Sequence, residues 1–154
     1  MKRAITGCGI AAAVLLVGGC VAVPALVAAT PSGRPEAVFK GQTPVAVTGL
    51  LANGCLNAGL QLTETSPYQV VCKVTVSGND LFLANLMLGT PGPRPERFLR
   101  FNVVQIGNDT RVQASQWVEA ATAFGQKRTA DLNQPKQFNE IQGLLFRLGG
   151  TAPG

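Results

Sequence analysis

The chain is 154 residues long, 46% hydrophobic and only 14% charged, with a formal net charge of +5 and no histidine. That length fits one domain and that apolar content supports a filled core. The missing histidine excludes His-ligated metal sites and Ser-His or Cys-His nucleophile pairs, and a modest, scattered positive charge is no footprint for nucleic acid.

Residues 1–20, MKRAITGCGIAAAVLLVGGC, open with Lys2 and Arg3, run through an uncharged apolar stretch and close on Gly18, Gly19 and Cys20. That order is how an export signal is built. The tetrapeptide Val17-Gly18-Gly19-Cys20 resembles the lipobox of bacterial membrane lipoproteins. The resemblance implies removal of residues 1–19, diacylglycerol on the Cys20 sulfur and a further amide-linked chain. Two or three acyl chains hold a protein firmly at a membrane where one holds it weakly. In Gram-negative members, Asp directly after the lipidated cysteine favours the inner membrane. Val21 stands there, so the resemblance implies the periplasmic side of the outer membrane. Two other readings stay open. An ordinary signal peptide could end after Ala25 or Ala29, or the run from Ala4 to Thr30 could be retained as a span, being longer than the roughly 20 residues a bilayer needs. Gly7, Gly9, Gly18, Gly19 and Pro24 weaken a helix there. Cys8 follows a lipobox-like Ile5-Thr6-Gly7, but no apolar segment precedes it. Without Lys2 and Arg3, eleven basic and eight acidic residues leave a net charge of +3.

From Cys20 to Gln42 the chain holds three prolines and many small residues without a sustained period, which reads as a lipidated cysteine and a flexible tether. A single α+β domain is expected over 43–150. Thr43-Pro44 is a helix start, a hydroxyl N-cap followed by proline. Val47, Leu50, Leu51, Cys55 and Ala58 then recur at helical spacing, and Gly59 suits the end. Leu60–Thr65 and Tyr68–Val76 form a hairpin turning at Ser66-Pro67, with Val70, Cys72, Val74 and Val76 on one face. Cys55 and Cys72 thus face one interior. In an oxidising compartment a disulfide between them would close a loop of about 17 residues, worth about 3 kcal/mol. Two buried free thiols are the alternative.

Asn79-Asp80 caps the octet LFLANLML at 81–88, in which only Asn85 is polar. It reads as a helix plugging the core, as a patch facing a membrane or partner, or as a hydrophobic strand. The proline-rich loop from Thr90 to Pro95 excludes regular structure. Arg97–Ile106 and Thr110–Val118 form the clearest hairpin, turning at Gly107-Asn108-Asp109. After a polar stretch, Gln126–Asp131, a last helix opens at Asn133 or Gln134 with Pro135. Phe138, Ile141, Leu144, Leu145 and Leu148 make its stripe and Gly149-Gly150 its end. A disordered tail is expected over 151–154.

Assembled, these elements predict a two-layer α+β sandwich: an antiparallel sheet of about four strands in two hairpins, covered on one face by the N- and C-terminal helices. No nucleophile elbow, Walker loop, dinucleotide fingerprint or Cys-x-x-Cys is present, and the eight acidic residues are spread singly. Arg97-Phe98-Leu99-Arg100-Phe101 mixes cations with aromatics as RNA-binding strands do, but lacks their glycine-rich signature. No catalytic residue, metal or cofactor is assigned. The expected function is a non-enzymatic, lipid-anchored envelope protein that binds or assembles with an envelope protein partner. Arg97, Arg100, Arg111 and Trp117 are the contact candidates, because Arg and Trp are favoured interface anchors. A carrier of small apolar ligands or lipids is the alternative, and an uncharacterised hydrolase ranks third.

Overall fold

The computed structural model describes residues 29–74, 95–121 and 125–154. The signal and lipobox, Cys20 and the first part of the tether, the octet at 81–88 and most of the proline-rich loop lie outside the described residues. Those residues form β1 (Glu36–Phe39), α1 (Pro44–Asn57), β2 (Gln61–Ser66), β3 (Gln69–Val74), β4 (Glu96–Ile106), β5 (Asp109–Ala121), β6 (Lys127–Asp131) and α2 (Pro135–Arg147). The architecture is α+β, with an antiparallel sheet ordered β1-β5-β4-β3-β2 and β6 also paired to β5. One edge of β5 pairs with β4 along the length of the hairpin. The other is shared end to end by β1, at Thr110–Gln113, and β6, at Trp117–Ala121.

The local signals produce the elements they announce. The Thr43 hydroxyl accepts the Ala46 N–H at 3.3 Å, Pro44 occupies the first turn of α1, and Gly59 takes φ +73° just past its end. Gly107 adopts φ +60° at the first position of the two-residue β4–β5 turn, a backbone that glycine enters without strain. Val47, Leu51 and Cys55 of α1 and Ile141 and Leu145 of α2 pack on Val70, Cys72, Leu99, Phe101, Val103, Val112 and Ala114 of the sheet. Both helices therefore cover the same face. Cys55 and Cys72 are joined as a disulfide, with Cα atoms 6.3 Å apart, tying α1 to β3. Among the described residues no helix is long and apolar enough to cross a membrane.

Three expectations need correction. The sheet has six strands rather than about four. One additional strand is β1, inside the stretch read as tether, where Glu36, Ala37 and Phe39 are buried. The other is β6, inside the polar stretch after β5. Nor is the C-terminus a loose tail at Thr151, whose N–H and C=O exchange two hydrogen bonds of 2.9 Å with Val38.

One physical cause links β1 to the chain's end. In an antiparallel pair, alternate residues direct their backbone groups away from the partner strand. For β1 these are Glu36 and Val38. Thr151 satisfies Val38, and the buried Gln142 side chain of α2 satisfies Glu36. Its Oε1 accepts the Glu36 N–H at 2.9 Å and its Nε2 donates to the Glu36 carbonyl at 2.8 Å. The C-terminal segment thereby seals an edge that would otherwise offer unpaired backbone. Gly150 permits that approach, since a Cβ there would stand 2.7 Å from the Ala37 Cβ.

Candidate functional site

Strand alternation sorts the β4–β5 hairpin into two faces. Leu99, Phe101, Val103, Val112 and Ala114 face the helices. Phe98, Arg100, Asn102, Val104 and Ile106 of β4, with Arg111, Gln113, Ser115, Trp117 and Glu119 of β5, occupy the opposite face. Phe98 lies directly across from Trp117 in the register, and the two rings stack at 5.3 Å with 15° between their planes. The Arg100 guanidinium carbon lies 4.7 Å from the Trp117 ring centroid. This combines offset aromatic stacking with a cation over an indole, the strongest cation–π acceptor among side chains. The indole N–H donates to Glu119 Oε1 at 2.7 Å, which fixes the ring's direction. Phe98, Arg100 and Trp117 are each half-buried.

The end of this face beside the stack carries charge. Glu96 and Glu119 stand opposite each other in the register. Lys73 bonds Glu96, and the Lys127 ammonium lies 3.7 Å from Glu119. The repulsion between the two carboxylates is thus compensated locally. Arg100 Nε is shut off from solvent with no hydrogen-bond acceptor among the described residues, and its guanidinium lies over the indole face.

The other end is built around Glu36 and Arg111. The Glu36 carboxylate is fully buried, takes a 2.7 Å bond from Arg111 Nη2 and accepts the Ser32 hydroxyl at 2.5 Å. Burial alone would push its pKa up. The hydrogen bonds from Arg111 and Ser32, with the Arg111 charge, outweigh that and hold the carboxyl below its ordinary range. Beyond this pair, Val104 and Ile106 are more than half exposed. With Asn102, Arg111 and Gln113 they line a shallow depression of about 240 Å³.

The four contact candidates do not form one surface. Arg100 and Trp117 touch. Arg111 shares their face but is committed to Glu36, so its first role is to hold the start of β1. Arg97 lies opposite Val118 in the register, on the helix-covered face. There it lines a cleft of about 200 Å³ with Ala58, Leu60, Leu99, Gln116, Ile141 and Leu144. The Gln116 side chain is buried in that cleft, and its Oε1 has no hydrogen-bond partner among the described residues. The contact candidates read from the sequence leave out Phe98, Glu36 and Gln142. The period-2 alternation that groups Arg100 with Trp117 also places Phe98 beside them, whereas nothing local marks Glu36 or Gln142. Among the described residues no group of three or more His, Cys, Asp or Glu could hold a metal ion. Comparison with protein-family models and with curated protein sequences finds no match to this chain, so the functional reading rests on residues and geometry alone.

Proposed function

We propose that this chain is a non-enzymatic, lipid-anchored protein of the cell envelope, and that it binds an envelope protein partner through the sheet face centred on Trp117. The anchor follows from the lipobox-like residues ending at Cys20, and Val21 after it points to the periplasmic side of the outer membrane. The observation that carries the partner reading is the Phe98–Trp117–Arg100 stack on the face opposite the helices. Aromatic and arginine side chains held rigid by their neighbours lose little freedom on binding, so such groups supply most of an interface's energy.

The ligand-carrier reading ranks second. Gln116 favours it, because a buried amide oxygen without a donor among the described residues invites one. The cleft of about 200 Å³ falls below the roughly 300–1,000 Å³ of sites that enclose whole ligands, and it is too small for a lipid chain.

The test is affinity purification of the tagged full chain from detergent-solubilised envelope, comparing wild type with Trp117→Ala/Arg100→Ala. The double variant is expected to lose about 2 kcal/mol or more at the interface, over tenfold in partner recovered. Its thermal unfolding, followed in parallel, reports whether the domain is intact. Undiminished recovery of a specific partner by a folded double variant would remove this face from the interface. Palmitate labelling that persists in Cys20→Ala would remove the anchor.

A further inference from the structure

Along β4, the Trp117 stack and the exposed pair Val104 and Ile106 stand at opposite ends of one face. Phe98 and Ile106 are eight residues apart, or about 26 Å at roughly 3.3 Å per residue. Val104 is 57% exposed and Ile106 51%. Tyr68, 68% exposed, sits in the β2–β3 turn at the same end, where its carbonyl accepts the Val103 N–H at 2.8 Å. Three large, exposed apolar or amphipathic side chains thus stand at the same end of the sheet.

The chain enters the domain at this end, beside Ile106. Pro31 shares a shallow depression of about 200 Å³ with Val38, Ile106, Arg111 and Pro153. Nine residue steps separate Cys20 from Ala29, and even fully extended they reach about 30 Å. A folded unit of about 125 residues has a radius of gyration near 14 Å, so the tether cannot exceed the domain's own width by much. The side where it enters therefore stays nearest whatever holds Cys20. A tether this short also keeps that side at millimolar effective concentration towards the anchoring surface. Even a weak contact is then occupied.

We infer that the tip formed by Tyr68, Val104 and Ile106 rests in the headgroup region of the bilayer that anchors Cys20, turning the Trp117 end away from the membrane. This rests on the lipid anchor proposed above. The side chains suit the role: Val104 and Ile106 gain by leaving water, and tyrosine favours a boundary where its ring is apolar and its hydroxyl wet. Leu56, 55% exposed towards the end of α1 away from Pro31, serves as the control.

The experiment uses full-length, envelope-purified protein reconstituted into vesicles of phosphatidylethanolamine with a minority of phosphatidylglycerol. In a Trp117→Phe background, the only tryptophan is supplied by Ile106→Trp, by Val104→Trp or, as control, by Leu56→Trp. Quenching by brominated acyl chains is expected to be at least threefold stronger for either tip reporter than for the control, with blue-shifted emission. Equal quenching at tip and control would overturn the inference. So would a tip reporter that is blue-shifted in native envelope fractions yet unquenched in vesicles, which would mean that protein covers it. Mass analysis of the N-terminal peptide separates the two claims. An acylated Cys20 with an unquenched tip rejects only the orientation, whereas an unmodified Cys20 rejects the anchor and the orientation with it.

Discussion

At the scale of single residues, Glu36 does two jobs with separate groups. Its backbone is held by Gln142 on one side, and its carboxylate is held by Arg111 and Ser32 on the other. Replacing it by Gln142's own residue type, in Glu36→Gln, keeps the shape but leaves Arg111 without its counter-charge. Arg111 is 37% exposed, so water recovers part of the loss, and a cost of about 1–3 kcal/mol is expected at neutral pH. The folded carboxyl sits below its ordinary pKa of 4.5, so at acid pH the unfolded chain binds the proton first. The stabilisation is accordingly full above about pH 5 and fades as pH falls through the folded value. Asp109 acts in the same direction, since the Gly41 N–H and the Lys40 ammonium hold its carboxyl low, but it is common to both proteins. Urea midpoints of wild type and Glu36→Gln should therefore converge as pH drops from about 6 to about 3. A gap that stays constant would show that the charge contributes nothing.

At the scale of elements, β1 depends on groups far away in sequence. The Gln142 amide, 106 residues from Glu36, stands in for a neighbouring strand. Gln142→Leu fills much of the same space and leaves a buried N–H and C=O unpaired. A loss of about 2–4 kcal/mol is expected, read as a lowered urea midpoint with little change in slope. A variant as stable as wild type would mean that water replaces both bonds. The same dependence explains what could be read in advance. Helix α1 and the β4–β5 hairpin carry their own instructions, in Thr43-Pro44 and Gly59 and in the alternation around Gly107. Strand β1 is four residues between Pro35 and Lys40-Gly41, with its partners more than 70 positions away. No window around it distinguishes it from tether. Strand β6, Lys127–Asp131, is too polar to alternate and follows β5 by pairing alone. The contact residues divide in the same way: alternation places Arg100 and Trp117 on one face, but the Arg111–Glu36 pair depends on a strand that local patterning hides.

At the scale of the whole molecule, the helices and sheet of the described residues form two layers held by apolar contact and by the Cys55–Cys72 link. Cys55 and Cys72 are fully buried at that junction. A thiolate reductant reaches the sulfurs only when the layers part, so reduction should report the opening of the domain rather than local access. In the native protein thiols should therefore appear slowly. The rate should climb exponentially with urea, with a slope approaching that of equilibrium unfolding. Once cut, the link no longer restrains the 17-residue separation it closes, and the reduced chain should be less stable by about 3 kcal/mol. Typical domains have only about 5–15 kcal/mol in total, so the reduced protein should still fold at room temperature but melt well below the oxidised one. Thiol release counted by mass shift across a urea series tests this directly. A rate independent of urea would mean that small fluctuations near α1 expose the sulfurs, and that the two layers are not joined as one cooperative unit.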